Sequence, residues 1–367
     1  MAKISVGLEI GTASVKAVEL IHKKNGYKLR KLVKADIPSP EKGIEREVRT
    51  VKVIRDLVHK YKINTKRVVS GIGGESVIVR RIRIPLMKEA EVEQAMRWQA
   101  EEYIPYPVDQ VCLGFHVLDK GLRGEEGEEI SVMLVGAKKE TIDERFGLLR
   151  KAGISPQIMD VNTLALFNIF QLSNSQPMDG IALLEIGYNT TSILLLDKSS
   201  PFLIRDINLG GFHITQAIAK ELNVSYKAAQ EMKEKYGIMI AYAEKTSSNG
   251  EIGLRETDEK APKESLVDRT VRKSMGHLVE EILHSFEYYT SQREGARIKK
   301  VILSGGSSCL KNIDKFLSEE LGVPVEIINP FTRISCDSTR FRPEHLARVG
   351  PIFAVSLGLA LRRIREI

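Results

Sequence analysis

The segment Leu8-Glu9-Ile10-Gly11-Thr12-Ala13-Ser14 returns half a chain later as Leu184-Glu185-Ile186-Gly187-Tyr188-Asn189-Thr190. In each copy an apolar run ends at a glutamate, turns on a glycine and continues into a second apolar run, Val15–Leu20 or Ser192–Leu196. That pattern reads as one β-hairpin device used twice. Any fold for this chain has to place both copies.

A hairpin turn rich in Gly and small hydroxyl residues exposes backbone N–H groups that cradle phosphate, and a carboxylate at the strand end can hold a hydrated divalent cation. Alone, either turn is ordinary. Two of them facing each other would clamp the phosphates of a nucleotide.

The rest of the composition narrows the class. With 367 residues the chain is long enough for several subdomains, each near the ~150-residue norm. Its 43% apolar and 28% charged residues exclude a disordered or collagenous chain. Cys112, Cys309 and Cys336 lie far apart without a CxxC pair, which argues against a zinc ribbon or disulfide framework and fits a reducing compartment. The first apolar run meets Glu9 too early for a signal sequence, so the chain is expected to start in the cytosol. Val161–Met178, interrupted by Asn and Gln, and the short run Val349–Leu361 are not expected to span a bilayer. The net charge of +7 is scattered over Arg80-Arg81, Arg83, Arg297, Lys299-Lys300 and Arg362-Arg363. A solvated surface is the first reading, anionic lipid the second, and nucleic acid is not expected because no aromatic residues interleave the charge.

Between the two hairpins lies a small α+β module. Glu91–Ile104 carries a helical apolar stripe that Pro105 and Pro107 end, and strands at Val111–Val117 and Ile130–Val135 flank a polar turn at Gly121–Glu129. Helix Thr141–Lys151 follows and stops at Gly153. Trp98, read as part of the stripe, is expected in the core ahead of a role as a partner anchor. After the second hairpin come Gly210-Gly211, helices Ile214–Leu222 and Tyr226–Lys235, a surface loop over 243–265 expected to be mobile, and a long helix Leu266–Gln292. Strand Val301–Leu303 runs into Ser304-Gly305-Gly306-Ser307 and a helix near Asn312–Leu321, a third ligand-facing turn. His277, Glu280 and His284 can share a helix face, but a metal site needs a further ligand, so a surface pattern is expected.

Acidic-Ile-Gly twice, the late Ser-Gly-Gly-Ser and Lys233 within Ala229-Gln230-Glu231-Met232-Lys233 resemble, in order and spacing, the nucleotide motifs of the actin-like ATPase superfamily. Within it, Gly7–Gly11 running to Val15–Glu19, Trp98–Pro107 with its Glu-Tyr-Ile-Pro-Tyr-Pro, and Leu321–Val325 ending at Asn329-Pro330-Phe331 resemble the PilM family of type IV pilus assembly, relatives of the division protein FtsA. The resemblance implies an α/β, two-lobed, ribonuclease-H-like fold with an inserted α+β subdomain 1C. Subdomain 1A would take 1–79, 159–178 and 345–367, and 1C would take 80–158. Subdomain 2A would take 179–214 and 276–344, and 2B would take 215–275.

The resemblance further implies ATP with Mg²⁺ in the cleft. Glu9 and Glu185 would stand on the cation side, holding Mg²⁺ through water; Gly11, Thr12 and Lys16 would contact one phosphate region. Gly187, Asn189, Thr190 and Gly210 would serve the second phosphate turn, Gly305, Gly306 and Ser307 the adenosine, and Lys233 the ribose edge. Glu in place of the commoner Asp at both hairpins, Asn162 where relatives carry Gln or Glu, and Gln230 where they often carry Glu imply at most slow hydrolysis, since an amide cannot act as a general base. The implied role is a cytoplasmic scaffold peripheral to the inner membrane. It would grip the N-terminal peptide of a PilN-like single-span protein in a groove lined by Val79, Ile82, Trp98, Tyr103, Pro105 and Tyr106. Other pilus assembly proteins and self-association are further partners on this reading. The alternatives are an FtsA-like filament-forming division protein, disfavoured by the ending Leu361–Ile367, and a small-molecule kinase of the same fold, for which no sugar-recognition stretch is visible.

Overall fold

Both copies of the repeated segment form antiparallel hairpins, and each nucleates a sheet of the same plan. The computed structural model describes residues 3–38, 44–124, 127–174, 179–198, 200–239, 263–292 and 295–362. In the first lobe β1 (Lys3–Ile10), β2 (Ser14–Lys23) and β3 (Gly26–Asp36) make a meander, and α1 (Arg46–Tyr61) leads into β4 (Val68–Ile72). The insert comprises β5 (Val77–Pro85), α2 (Glu89–Tyr103), β6 (Val111–Gly124) and β7 (Gly127–Lys138). The chain then returns through α3 (Lys139–Lys151), β8 (Ile158–Val161) and α4 (Asn162–Ser173). The second lobe opens with β9 (Ile181–Ile186), β10 (Thr191–Asp197) and β11 (Ser200–Ile207), followed by α5 (Gly211–Glu221), α6 (Tyr226–Tyr236) and the single long helix α7 (Lys263–Ser291). It continues with β12 (Lys300–Ser304), α8 (Ile313–Leu321) and β13 (Val325–Ile327), and β14 (Ile334–Ser335), α9 (Pro343–Val349) and α10 (Ala354–Leu361) return to the first lobe. Most of the loop expected at 243–265 lies outside the described residues, and 263–265 already belong to α7.

The strand orders β3-β2-β1-β4-β8 and β11-β10-β9-β12-β13 are the same: an antiparallel meander followed by two parallel strands. Strands covered on both faces read as nearly continuous apolar runs, and β1 illustrates it. Val6, Leu8 and Ile10 pack with Ile54 and Leu57 of α1. On the other face Gly7 lies beneath α10, where a Cβ would stand 1.9 Å from the Ser356 carbonyl oxygen. The apolar run Pro343–Leu361 is long and apolar enough to cross a membrane by length and composition, yet every residue of α10 is buried, packed against β1 and α4. It is a core helix of the first lobe.

Helix α3 falls within the segment 80–158, but Leu149, Ala152 and Ile154 pack with Leu8, Ile54 and Leu57 in the first lobe's core. The insert's own core gathers Ile82, Ile84, Val92, Met96, Ala100, Ile104 and Val132. Strand β5 is not its free edge: it pairs with β7 along its length and with β11 at Leu203–Arg80, leaving β6 outermost. Trp98 corrects the core expectation, being 71% exposed. Val92, Met96 and Ala100 repeat every four residues, whereas Trp98, two residues from Met96, is turned about 200° away from that line.

Replacing Gly7 by Ala forces a methyl group into the backbone of α10. Urea unfolding is expected to show a loss of about 2 kcal/mol or more, at the upper end of overpacking costs; a loss under about 0.5 kcal/mol would mean that α10 is not seated on β1.

Candidate functional site

The hairpin register sets the chemistry of the cleft. In the first lobe Glu9 is opposite Lys16, and the Lys16 ammonium donates to Glu9 Oε1. Both residues are buried. The turn closes with Gly11 N–H donating to the Ser14 carbonyl at 3.0 Å; its copy closes with Gly187 N–H donating to the Thr190 carbonyl at 2.9 Å. Thr12 and Thr190 are half-buried at these turns and Asn189 is exposed.

In the second lobe the residue opposite Glu185 is Ser192, not a lysine, and its hydroxyl donates to Asp206. Glu185 therefore has no cation of its own strand pair. Burial, and next the charge of Glu9, push its carboxyl up to about 7 against the pull of Lys16. Burial by itself would lower the Lys16 ammonium, but Glu9 and Glu185 outweigh it and raise it instead. The ammonium of Lys16 is thus paired with Glu9 and reaches the carboxylate of the opposite lobe through its charge alone. Glu9 Oε2 is buried without a hydrogen-bond partner. Among the described residues no group of three or more His, Cys, Asp or Glu side chains is arranged to hold a metal ion.

Glycines build the second lobe's wall. Gly211 N–H donates to the Gly187 carbonyl at 3.0 Å and Phe212 N–H to the Tyr188 carbonyl at 2.7 Å, so the start of α5 is fixed to the second hairpin turn. Gly210 caps that helix, and its N–H donates to His213 Nδ1 at 3.1 Å. Gly305 has φ +90°, and a Cβ there would lie 2.5 Å from the Ile186 carbonyl oxygen, so the position demands glycine. At Gly306 a Cβ would meet nothing within 4 Å. Ser307 Oγ donates to the Gly187 carbonyl at 3.2 Å. Lys233 donates to the Gly211 carbonyl at 2.9 Å and to Thr215 Oγ1 at 2.7 Å. Its burial, opposed only by Glu234, brings the ammonium down to about 8. Gly187, Gly210, Gly305, Gly306, Ser307 and Lys233 are brought to one wall of the cleft.

Asn162 opens α4 against Gly71 and Gly73, with Oδ1 buried and without a hydrogen-bond partner. Gln230 Oε1 accepts from Thr215 at 2.7 Å. His277 and Glu280 form an exposed pair on α7.

The six residues expected to line a partner groove divide. Trp98, Tyr103 and Pro105 are exposed and Tyr106 is half-buried, with Lys138 Nζ 4.1 Å from its ring centroid. Val79 and Ile82 are only 6% and 3% exposed; their side chains are in the interior and present no groove wall. Sequence reasoning passed over several residues around the turns. Arg145 Nη1 donates to the Ile10 carbonyl at 3.0 Å. Tyr188, Phe212 and Tyr226 form an aromatic row beside the second turn, joined by a 3.0 Å bond between the two tyrosine hydroxyls. The one available signal for Arg145 was its place four residues before Leu149, on the buried side of its helix.

The family described as Type IV pilus assembly protein PilM matches residues 7–246, and the family of cell division protein FtsA matches residues 182–358. A solved PilM-PilN type IV pilus biogenesis complex contains a chain 30% identical, with 97% of each chain covered and a TM-score of 0.79. FtsA of Enterococcus hirae is 23% identical over 350 residues, 89% of this chain and 78% of its own length. The ethanolamine utilization protein EutJ of Carboxydothermus hydrogenoformans shares the fold at 13% identity, with coverage of 98% and 90% and a TM-score of 0.55. Two lobes of common strand order, the paired acidic hairpins and these similarities together lead to one conclusion: the chain belongs to the PilM family of type IV pilus assembly proteins, within the actin-like ATPase superfamily.

Proposed function

We propose that the protein is an ATP-binding scaffold of a type IV pilus assembly complex at the inner membrane. The observation that carries this is the pair of Gly-turn hairpins, one from each lobe, whose glutamates act on one another, with buried Lys16 at the first turn and buried Lys233 bonded to the start of α5 beside the second. The residues fit a nucleotide with Mg²⁺. The open space over Gly306 suits a nucleoside face, Lys233 has no carboxylate to neutralise it within its own bonds, and the orphaned Glu9 Oε2 suits a hydrated cation. Glu9, Glu185 and the nucleotide's own phosphates would hold that cation, which would neutralise phosphate charge. Asn162 offers an amide where a base would be needed, so hydrolysis is slow at most.

The anchor to the membrane on this reading is a PilN-like single-span protein whose N-terminal cytosolic peptide docks on the insert. The relative's complex with PilN supports the partner class. Exposed Trp98 and Tyr103, with Pro105 and Tyr106, are the contact residues; β6, the outermost strand, offers backbone groups for pairing.

Gly306→Val is expected to weaken binding of a fluorescent ATP analogue about tenfold or more while leaving the unfolding temperature unchanged, because its side chain enters the cleft and not the core. Unaltered affinity would remove Gly306 from the site, and turnover near 10 per second by the unmodified chain would make it an enzyme rather than a scaffold.

Lys233 predicts a pH dependence. Its folded value of about 8 lies below the ordinary 10.5, so the cost of burying its charge is fully present below pH 8 and is relieved as pH rises from there towards the unfolded value. Nucleotide affinity runs the opposite way, falling as the ammonium discharges above about pH 8. Lys233→Met should flatten that fall; an equally steep profile in the variant would assign it to another group.

For the partner, a synthetic PilN N-terminal peptide is expected to bind the full chain and to lose about tenfold or more in affinity with Trp98→Ala or Tyr103→Ala. Retention of full affinity by both variants would put the peptide elsewhere, and no binding to the unmodified chain would favour the FtsA-like alternative.

A further inference from the structure

Two arginines from separate elements cover the carbonyls of the first hairpin turn. Arg145, on α3, donates to the Ile10 carbonyl at 3.0 Å, and Arg46, the first residue of α1, reaches the Gly11 and Thr12 carbonyls at 3.4 and 3.3 Å. Three successive peptide oxygens are thus faced by guanidinium groups. Among the described residues, neither arginine has a carboxylate within ion-pair distance. The two cations act on one another: burial first, and then the charge of Arg46, lower the Arg145 guanidinium against the smaller pull of Glu144 and Glu9.

A surplus of fixed positive charge at a Gly-rich turn has a direct electrostatic meaning. The carbonyl ends of the turn's peptide dipoles would repel an approaching phosphate, and the two guanidinium groups screen them. The benefit grows with the charge brought to the turn. We infer that Arg145 and Arg46 are positioning residues that make the first hairpin turn favour a nucleoside triphosphate over a diphosphate. The inference rests on the nucleotide reading of the cleft and adds to it which phosphate state is preferred and which residues set the preference. Arg145 follows the insert's last strand by only a few residues, since β7 ends at Lys138 and α3 begins at Lys139, so the preference is built partly from the element on which the insert hangs.

The test compares ATP and ADP affinities of the full chain by calorimetry, with the unfolding temperature of each variant recorded. Arg145→Gln is expected to lower ATP affinity about tenfold and ADP affinity much less. Arg145→Lys should retain most of the preference, and Arg46→Gln should shift it in the same direction. Arg46 is exposed, so its variant decides the matter should Arg145→Gln fail to fold. Equal losses of ATP and ADP affinity, or an unchanged ratio in both glutamine variants, would overturn this inference while leaving the nucleotide reading intact. An unmodified chain that binds neither nucleotide would overturn both.

Discussion

One ammonium group, that of Lys16, is paired with Glu9 and pulls by its charge on Glu185, a carboxylate from the other half of the chain. Two carboxylates close enough to shift one another, Glu9 buried and Glu185 half-buried, would push the lobes apart, and desolvation would make the repulsion worse. The hairpin register supplies the remedy: Lys16 is the residue directly across from Glu9, so the same pairing that builds the first hairpin delivers the cation to the floor of the cleft. Only one lobe carries it. Where the first lobe has Lys16, the second has Ser192, and that single difference leaves Glu185 dependent on its neighbour's charge.

The two lobes therefore repeat a topology without repeating its chemistry. The common strand order fixes where the turns lie. The side chains opposite the two glutamates then divide the labour: a lysine that pairs with Glu9 on one side, and on the other a serine that leaves Glu185 without a strand-pair cation. Gly305 and Gly211 complete the second wall by close backbone approach, one against Ile186 and the other against Ser307. At those two positions there is no room for a side chain, whereas Gly306 beside them is open.

The duplicated hairpin and the strand–Gly-Gly turn were legible because their signals are local: an apolar run, an acid, a glycine, another apolar run. The place of α10 was hidden, since nothing near Gly7 in sequence announces the helix laid across it some 350 residues on. Trp98 departs from the Glu91–Ile104 stripe because the buried line runs Val92, Met96, Ala100 and leaves Trp98 on the far side of the helix, a distinction that a band of apolar residues does not draw. The pairing of β5 with β11 was hidden because the two strands lie more than a hundred residues apart. Arg145 carries only the weak mark of its place four residues before Leu149, and Arg46 carries none, because the partners of both are backbone carbonyls of a distant turn.

The joining of β5 to β11 has a mechanical consequence. The insert's chain enters and leaves through the first lobe, yet it is tied to the second by the Leu203–Arg80 pairing and by Arg81 with Asp197 at 3.3 Å, while Asn208 donates to Glu75, just ahead of β5, at 2.6 Å. It is a strap between the lobes, fastened to both. Rotation of one lobe against the other has to carry the strap along or shear those few bonds, so whatever loads the outer surface of the insert also loads the seam between the lobes.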